Sequence, residues 1–397
     1  MRRPGIVIVG GGLAGERCLE TLRVRGYDGP LHLVCAEDEL PYDRPPLSKE
    51  LLAGSVDDES ASFRPGAWYV ANEVELILGR RARRLDPVGR RVELDDGFSI
   101  RYEKLLIATG SRARRLPDLD GWPNVHYLRT LADARRLRDA LQPATSLVIV
   151  GAGFIGQEVA ATARRLGVDV TILEALPGPL ISILGEGVGR WFVDLHRSES
   201  VEVLLSARLA SARGNGKVEE LALENGRRLG CDAVVVGIGV APAAEWLDGS
   251  GLEVDGVLTD TGGRTSIPDV FAAGDVTRSF DPRFGVHARA EHWEAAARQG
   301  VAAAKAMLGA DPGPVPLPSF WSDQYGLRIQ YVGHAEHADD VHIECDRDGR
   351  ELRAVYTRDQ RPIAALVVDE PRALIALRRE IELSHNCNGH REKETEE

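Results

Sequence analysis

Residues 6–15 read IVIVGGGLAG, an apolar, β-branched run that ends directly in a glycine-rich turn. A helix-like stretch follows, then a second apolar run from Leu31 to Ala36, and Glu37 ends that run. In the dinucleotide-binding fingerprint, glycines allow a tight turn, the helix N-terminus faces a pyrophosphate, and an acid about 20 residues later binds ribose hydroxyls. The stretch therefore predicts a β-α-β unit that binds a dinucleotide.

The same pattern occurs a second time. Residues 147–156 read LVIVGAGFIG, followed by a helix-like stretch, an apolar run from Val168 to Leu173, and then Glu174. One such glycine motif is weak evidence, but two in strand-turn-helix context, each with its acid, make a chance match improbable. Because a carboxylate repels a 2'-phosphate and residues 175–178 (ALPG) supply no arginine, the second site is expected to prefer a dinucleotide without a 2'-phosphate.

Composition excludes several classes of protein. The chain has 397 residues with 43% hydrophobic and 28% charged residues, as in ordinary globular proteins. Its net charge of -12 makes nucleic acid an unlikely partner. No apolar run approaches the ~18 residues of a membrane-spanning helix, which predicts a cytoplasmic protein. The five cysteines show no metal-ligand spacing and no CxxC pair, so neither a metal site nor a dithiol centre is expected.

Three further apolar runs end in glycine and are expected to be strands whose ends hold ligand: residues 105–110, 233–239 and 269–275. Residues 311–318 carry four prolines and predict a linker. Beyond them, the alternating runs 328–332, 341–345, 352–356 and 363–368 predict an antiparallel sheet, followed by a helix over about 373–383.

With both fingerprints, the segment PYDRPPLSK at 41–49, the ATG at 108–110 and the AGD at 273–275, the chain resembles the ferredoxin reductases of bacterial oxygenase systems. These are FAD-containing, NADH-dependent proteins of the glutathione-reductase structural family. The resemblance covers about residues 5–385, and its most specific part is PYDRPPLSK. It implies an α/β fold with two Rossmann-like dinucleotide-binding domains, one for FAD and one for NAD, and a C-terminal α+β domain.

The implied domains are an FAD-binding domain over 1–112 and 245–315, an NAD-binding domain over 113–244, a C-terminal domain over 316–385, and a polar tail over 386–397. On the family pattern, residues of both halves of the chain would bind FAD: Gly10, Gly12, Ala14, Gly15, Glu37, Arg44, Lys49, Ala82, Ala108, Thr109, Gly110, Arg129, Asp275 and Trp293.

The second fingerprint would hold NADH, with these residues: Gly151, Gly153, Phe154, Ile155, Gly156, Glu158, Glu174 and Gly239. The family places Glu158 beside the nicotinamide and Lys49, and a tryptophan near the flavin, so Lys49, Glu158 and Trp293 are the candidate catalytic residues. Each of them could also have a purely structural role, as a solvated charge or a core side chain.

The resemblance implies electron transfer from NADH through FAD to a [2Fe-2S] ferredoxin that serves a Rieske dioxygenase or a cytochrome P450, in a monomer or homodimer. Trp321 and two arginine groups, at 80–84 and 112–115, are candidates for the ferredoxin-facing surface. Thiol chemistry is not expected, because Arg44, Leu47 and Ser48 stand where related disulfide and peroxide reductases carry cysteine. An NADH oxidase, a rubredoxin reductase and an NADH-sensing flavoprotein that signals by association remain as alternatives.

Overall fold

The computed structural model describes residues 4–143 and 145–391, with side chains as far as residue 383. Its strands are β1 (Gly5–Val9), β2 (Leu31–Val34), β3 (Val74–Ile77), β4 (Ala82–Asp86), β5 (Arg91–Leu94), β6 (Ser99–Ile107), β7 (Ser111–Ala113), β8 (Val125–His126), β9 (Ser146–Val150), β10 (Asp169–Leu173), β11 (Glu202–Leu204), β12 (Leu209–Arg213), β13 (Glu220–Leu223), β14 (Arg228–Gly230), β15 (Ala233–Val236), β16 (Val240–Pro242), β17 (Val257–Thr259), β18 (Val270–Ala272), β19 (Thr277–Asp281), β20 (Val286–Ala288), β21 (Ser319–Gln324), β22 (Leu327–Gly333), β23 (Asp340–Cys345), β24 (Leu352–Arg358) and β25 (Arg361–Val368). The helices are α1 (Leu13–Val24), α2 (Gly66–Ala71), α3 (Leu131–Ala140), α4 (Phe154–Arg165), α5 (Ile181–Ser198), α6 (Trp293–Met307) and α7 (Pro371–Arg391).

The described residues form two compact units, each assembled from separate segments of the chain. Among the described residues, the first unit comprises 4–43, 59–112 and 240–318, and the second comprises 44–58, 113–143, 145–239 and 319–391. The second unit thus includes residues 44–58, which the sequence assigned to the FAD-binding domain. The side chains explain this, since Asp58 pairs with Arg135 and Lys49 with Glu158.

The first unit is built on a sheet in the order β3-β2-β1-β6-β5-β4, with β18 beside β6. β1, β2, β3, β18 and the end of β6 run parallel, while β4, β5 and the start of β6 form an antiparallel meander. β1, β18 and the end of β6 are apolar on both faces, and each face packs against a hydrophobic cluster. Their carboxyl ends carry the first glycine motif.

The second unit contains a parallel sheet in the order β11-β10-β9-β15-β8 and an antiparallel sheet in the order β21-β22-β25-β24-β23. Helix α4 follows β9 through the second glycine motif, and α5 packs on the antiparallel sheet in one hydrophobic cluster. Two β-α-β units and a C-terminal antiparallel sheet confirm the predicted fold class.

Two elements differ from the sequence prediction. β21 was not predicted, because its buried side chains include the polar Ser322 and Gln324. Helix α7 continues to Arg391, since no proline interrupts residues 372–391, so the predicted polar tail is helical over 386–391. The rest of that tail, 392–397, lies outside the described residues.

Candidate functional site

The first glycine loop joins β1 to α1 so closely that two of its positions admit no side chain. A Cβ on Gly10, whose φ is +119°, would lie 2.1 Å from the carbonyl oxygen of Ala108, and a Cβ on Gly15 would lie 2.1 Å from that of Gly10. The N-cap of α1 is Gly12, which makes no side-chain cap hydrogen bond. The first N–H groups of a helix have no acceptor within it. The loop therefore forms a bare backbone cradle at a positive helix end, which suits a pyrophosphate.

The other predicted residues of the first unit lie at strand ends or strand edges. Glu37 follows β2, and its Oε2 accepts a 2.6 Å hydrogen bond from the Tyr42 hydroxyl. Asp275 follows β18 and accepts a 2.8 Å hydrogen bond from the Ser111 hydroxyl. Three further residues follow β6 directly, and one is buried at the start of β4: Ala108, Thr109, Gly110 and Ala82.

Trp293 is the first residue of α6 in the first unit. Its indole Nε1 donates a 2.8 Å hydrogen bond to Asp43 Oδ1, and its ring packs against the hydrophobic cluster beneath the glycine loop. The sequence did not single out Asp43 as a residue that orients this ring. The only sequence signal for Asp43 is its position within the segment PYDRPPLSK.

The second glycine loop shows the same crowding at its first and last glycines. A Cβ on Gly151 would lie 2.4 Å from the carbonyl oxygen of Gly237, and a Cβ on Gly156 would lie 2.5 Å from that of Gly151. At Gly153, the N-cap of α4, the nearest atom would be 3.8 Å away, so this glycine is not required by packing within the chain. Gly239, with φ +93°, lies just beyond β15 in the same sheet.

Glu174 follows β10 and binds the backbone of the second loop. Its Oε2 accepts from the N–H of Ala152 at 3.0 Å, and its Oε1 accepts from the N–H of Leu176 at 2.8 Å. A carboxylate has about four acceptor positions, so two stay available to ribose hydroxyls. The carboxylate of Glu174 thus lies against the glycine loop.

The second unit also holds a buried ion pair. Lys49 Nζ donates to Glu158 Oε2 at 2.6 Å, and the two side chains are only 11% and 8% exposed. Two serines complete the coordination of the carboxylate: the hydroxyl of Ser48 donates to Oε2 at 2.5 Å, and that of Ser322 donates to Oε1 at 2.7 Å. Burying a charge costs several kcal/mol unless it is paired and hydrogen-bonded, and here both conditions hold.

Two more predicted residues, Arg44 and Arg129, lie in the second unit. Arg44 is the half-buried N-cap of the short 3-10 turn Pro45–Ser48, and Arg129 precedes the capping box of α3, where its N–H donates to Asp133. Phe154 packs against Phe192 and Phe320, and Ile155 beside it is exposed.

The described cysteines are poor candidates for thiol chemistry. Cys18, Cys35 and Cys231 are buried, and Cys345 is exposed. Burial raises the pKa of the Cys18, Cys231 and Cys345 thiols, to about 11 for Cys231. Thiols with such pKa values carry little thiolate near neutral pH. Among the residues with described positions, no group of three or more potential ligands could hold a metal ion. None of the helices in that part of the chain is long and apolar enough to cross a membrane.

Comparison with known proteins identifies the family of this chain. The sequence profile of the pyridine nucleotide-disulphide oxidoreductases matches residues 4–300, and a profile described as the C-terminal domain of reductases matches residues 319–393. The chain belongs to the pyridine nucleotide-disulphide oxidoreductase family. This confirms the structural family predicted from the two fingerprints.

Individual members of the family match over most of their length. The ferredoxin–NAD(+) reductase component of the anthranilate 1,2-dioxygenase system of Burkholderia cepacia is 42% identical over 82% of this chain and 81% of its own. The corresponding component of the biphenyl dioxygenase system of Paraburkholderia xenovorans is 42% identical over 86% and 84%. Among solved structures, the covalent putidaredoxin reductase–putidaredoxin complex matches 96% of this chain and 93% of its own with a TM-score of 0.92 and 32% identity.

Proposed function

We propose that this protein is an NADH-dependent ferredoxin reductase that binds FAD and passes electrons to a [2Fe-2S] ferredoxin serving an oxygenase. The observation that carries the proposal is the pair of glycine loops, each with two positions too crowded for a Cβ and each followed by an acid. Two such loops accommodate two dinucleotides, and three of the four cysteines in the described part of the chain are buried.

The first unit is the proposed FAD-binding region. Gly10, Gly12, Ala14 and Gly15 would surround the pyrophosphate, and Glu37 would bind the adenosine ribose. Asp275, half-buried at the end of β18, would meet the ribityl chain. The remaining FAD contacts proposed for this unit are Ala82, Ala108, Thr109, Gly110 and Trp293, and the family resemblance adds Arg44, Lys49 and Arg129.

The second unit is the proposed NADH-binding region. Gly151, Gly153 and Gly156 would accept the pyrophosphate, with Phe154, Ile155 and Gly239 beside it. Glu174 would accept hydrogen bonds from the 2'-hydroxyl and exclude a 2'-phosphate by like-charge repulsion. The absence of crowding at Gly153 supports this placement, since packing within the chain does not require a glycine there and a close ligand would.

FAD, when bound, supplies the chemistry that converts a two-electron donor into a one-electron donor. The residues of this chain would orient the bound dinucleotides and exclude water. Glu158 would hold the nicotinamide side, its charge kept in place by Lys49, Ser48 and Ser322. The ammonium of Lys49 would stabilise negative charge that develops nearby. Trp293, fixed through Asp43, would cover the flavin.

The electron acceptor is proposed to be an acidic [2Fe-2S] ferredoxin bound through Trp321 and basic side chains. The Trp321 ring is half-buried on β21, with the Arg328 guanidinium 5.0 Å from its centre. The arginines at 80, 81, 83, 84, 112, 114 and 115 are all exposed, but Arg80, Arg112 and Arg115 pair with carboxylates within their own unit. Neutralising Arg81, Arg83 and Arg84 together should reduce the salt dependence of electron transfer. The monomeric or dimeric state and the cytoplasmic location stay predictions.

The test is the rate of NADH-driven cytochrome c reduction by the FAD-loaded protein at low oxygen, with and without an added [2Fe-2S] ferredoxin. A many-fold increase on addition of ferredoxin supports the proposal. If several ferredoxins change nothing while NADH still bleaches the flavin, the ferredoxin proposal fails. Stimulation by rubredoxin, direct oxygen consumption or an NADH-dependent change in association would then identify which alternative replaces it.

A further inference from the structure

A chain of buried hydrogen bonds in the second unit ends on the second glycine loop. Tyr325, in the turn between β21 and β22, has its hydroxyl 2.7 Å from His196 Nδ1 on α5. His196 Nε2 lies 3.2 Å from Gln157 Oε1 on α4, and Gln157 Nε2 donates at 2.8 Å to the carbonyl oxygen of Ala152. Three elements outside the loop are thereby linked to a single peptide group within it.

The chain has one consistent direction. Because Gln157 uses its NH₂ group on Ala152, its Oε1 is an acceptor and the hydrogen on His196 must be on Nε2. Nδ1 of a neutral imidazole is then the acceptor for the Tyr325 hydroxyl. Each donor therefore faces an acceptor, with the imidazole in its neutral Nε2–H form.

Burial makes this arrangement hard to replace. Gln157 is 0% and His196 2% exposed, so water does not substitute for a missing partner without opening the structure. Burial also lowers the pKa of His196 to about 4, which keeps the imidazole neutral at physiological pH.

The carbonyl oxygen that receives this chain controls the orientation of the loop. The N–H of Ala152 is held by Glu174 and its carbonyl oxygen by Gln157, so both polar groups of this residue are fixed. In a trans peptide, the carbonyl of Ala152 and the N–H of Gly153 point in opposite directions. Fixing the carbonyl therefore fixes the direction of the N–H at the N-cap of α4, where the flanking glycines would otherwise permit rotation.

We propose that His196 and Tyr325 are positioning residues for dinucleotide binding, acting through Gln157 to orient the peptide between Ala152 and Gly153 toward the pyrophosphate. This inference rests on the proposed function, because it takes the second loop as the NADH site. None of the three side chains belongs to the fingerprint, and two of them lie far from it in the sequence.

The test compares binding of NAD+ to the FAD-loaded wild type and variants by calorimetry, together with kcat and KM for NADH. His196→Asn removes the Nε2 donor and should weaken NAD+ binding about fivefold to tenfold, the cost of one buried hydrogen bond. KM for NADH should rise in parallel, with kcat unchanged at saturating NADH. His196→Gln places an amide N–H near the Nε2 position and should restore affinity to within about twofold.

Two further measurements keep the test decisive if His196→Asn fails to fold. Tyr325→Phe removes only a hydroxyl and should weaken NAD+ binding in the same direction. Histidine ¹⁵N spectra of the wild type should show His196 as the neutral Nε2–H tautomer. The matched control is His126→Gln, which replaces a buried histidine on β8 of the same parallel sheet. This variant should bind NAD+ with wild-type affinity.

The outcomes separate the inference from the proposed function. Wild-type affinity in both His196→Asn and Tyr325→Phe, or an Nδ1–H tautomer, would overturn the positioning role. A wild-type protein that keeps FAD but binds no NAD+ would overturn the proposed function instead.

Discussion

Lys49 Nζ lies 2.6 Å from Glu158 Oε2, although 109 residues separate the two in the sequence. The motif PYDRPPLSK is thereby attached to the helix that follows the second glycine loop, and Thr162, one turn further along that helix, donates at 2.7 Å to the carbonyl oxygen of Ser48. Residues 44–49 of the segment most specific to the family thus belong to the same compact unit as the proposed NADH site.

Removing the charge of Glu158 should destabilise the protein and slow its reduction by NADH. Glu158→Gln leaves the Lys49 ammonium buried without a counter-charge, so the free energy of unfolding should fall by about 3 kcal/mol. Urea denaturation of the FAD-loaded protein measures the stability, and single-turnover flavin bleaching by NADH measures the reaction. Ser322→Ala is the control, since it removes one hydrogen bond and keeps the ion pair, at a cost of about 1–2 kcal/mol. Equal losses in the two variants would contradict the importance of the pair.

Alanine substitution should separate the two functions of glycine in the second loop. In Gly156→Ala the new Cβ meets the Gly151 carbonyl oxygen at 2.5 Å, and the resulting backbone shift should cost about 1–3 kcal/mol of stability. Gly153→Ala has room within the protein and should unfold within about 0.5 kcal/mol of the wild type. Its KM for NADH should nevertheless rise, because the methyl group occupies space needed for close approach of the pyrophosphate. Thermal unfolding and steady-state kinetics of both variants check this, and an unchanged KM in Gly153→Ala would remove this loop from the proposed NADH site.

Features that depend on residues close together in the sequence were predicted, and contacts between residues far apart in the sequence were not. Gly10 to Glu37 and Gly151 to Glu174 are local patterns, so their strands, turns and helices were predicted correctly. Ser322 was missed as a partner of Glu158, because 164 residues separate them and only the packing of β21 against α4 brings them together. The buried face of β21 could not be recognised in the sequence, since Ser322 and Gln324 are polar residues at positions where apolar ones are expected.

Glu174 should determine the choice between the two nicotinamide dinucleotides. Glu174→Gln keeps an acceptor for the Ala152 N–H but removes the negative charge that opposes a 2'-phosphate. The ratio of kcat/KM for NADPH to that for NADH should therefore rise about tenfold, the equivalent of about 1.4 kcal/mol. Glu37→Gln is the matched control in the first fingerprint, and it should leave this ratio unchanged even where it weakens retention of FAD. A ratio that rises in Glu37→Gln and not in Glu174→Gln would reverse the two assignments.

The buried imidazole of His196 should make the protein less stable as the pH falls. Burial lowers its pKa to about 4 in the folded protein from 6.5 in the unfolded chain. Between these values the unfolded chain binds a proton at His196 and the folded protein does not, so acid favours unfolding through this residue. The free energy of unfolding should fall by roughly 3 kcal/mol from this residue alone as the pH drops from 7 to 4.

Urea denaturation of the FAD-loaded protein at intervals from pH 7 to pH 4 measures this loss. His196→Gln cannot titrate and should show a shallower decline than the wild type. The control is His342→Gln, which removes an exposed imidazole of the same unit and should leave the wild-type decline in place. If His196→Gln declines as steeply as the wild type, His196 does not take up a proton on unfolding, and the neutral imidazole inferred for the hydrogen-bond chain to Ala152 is wrong.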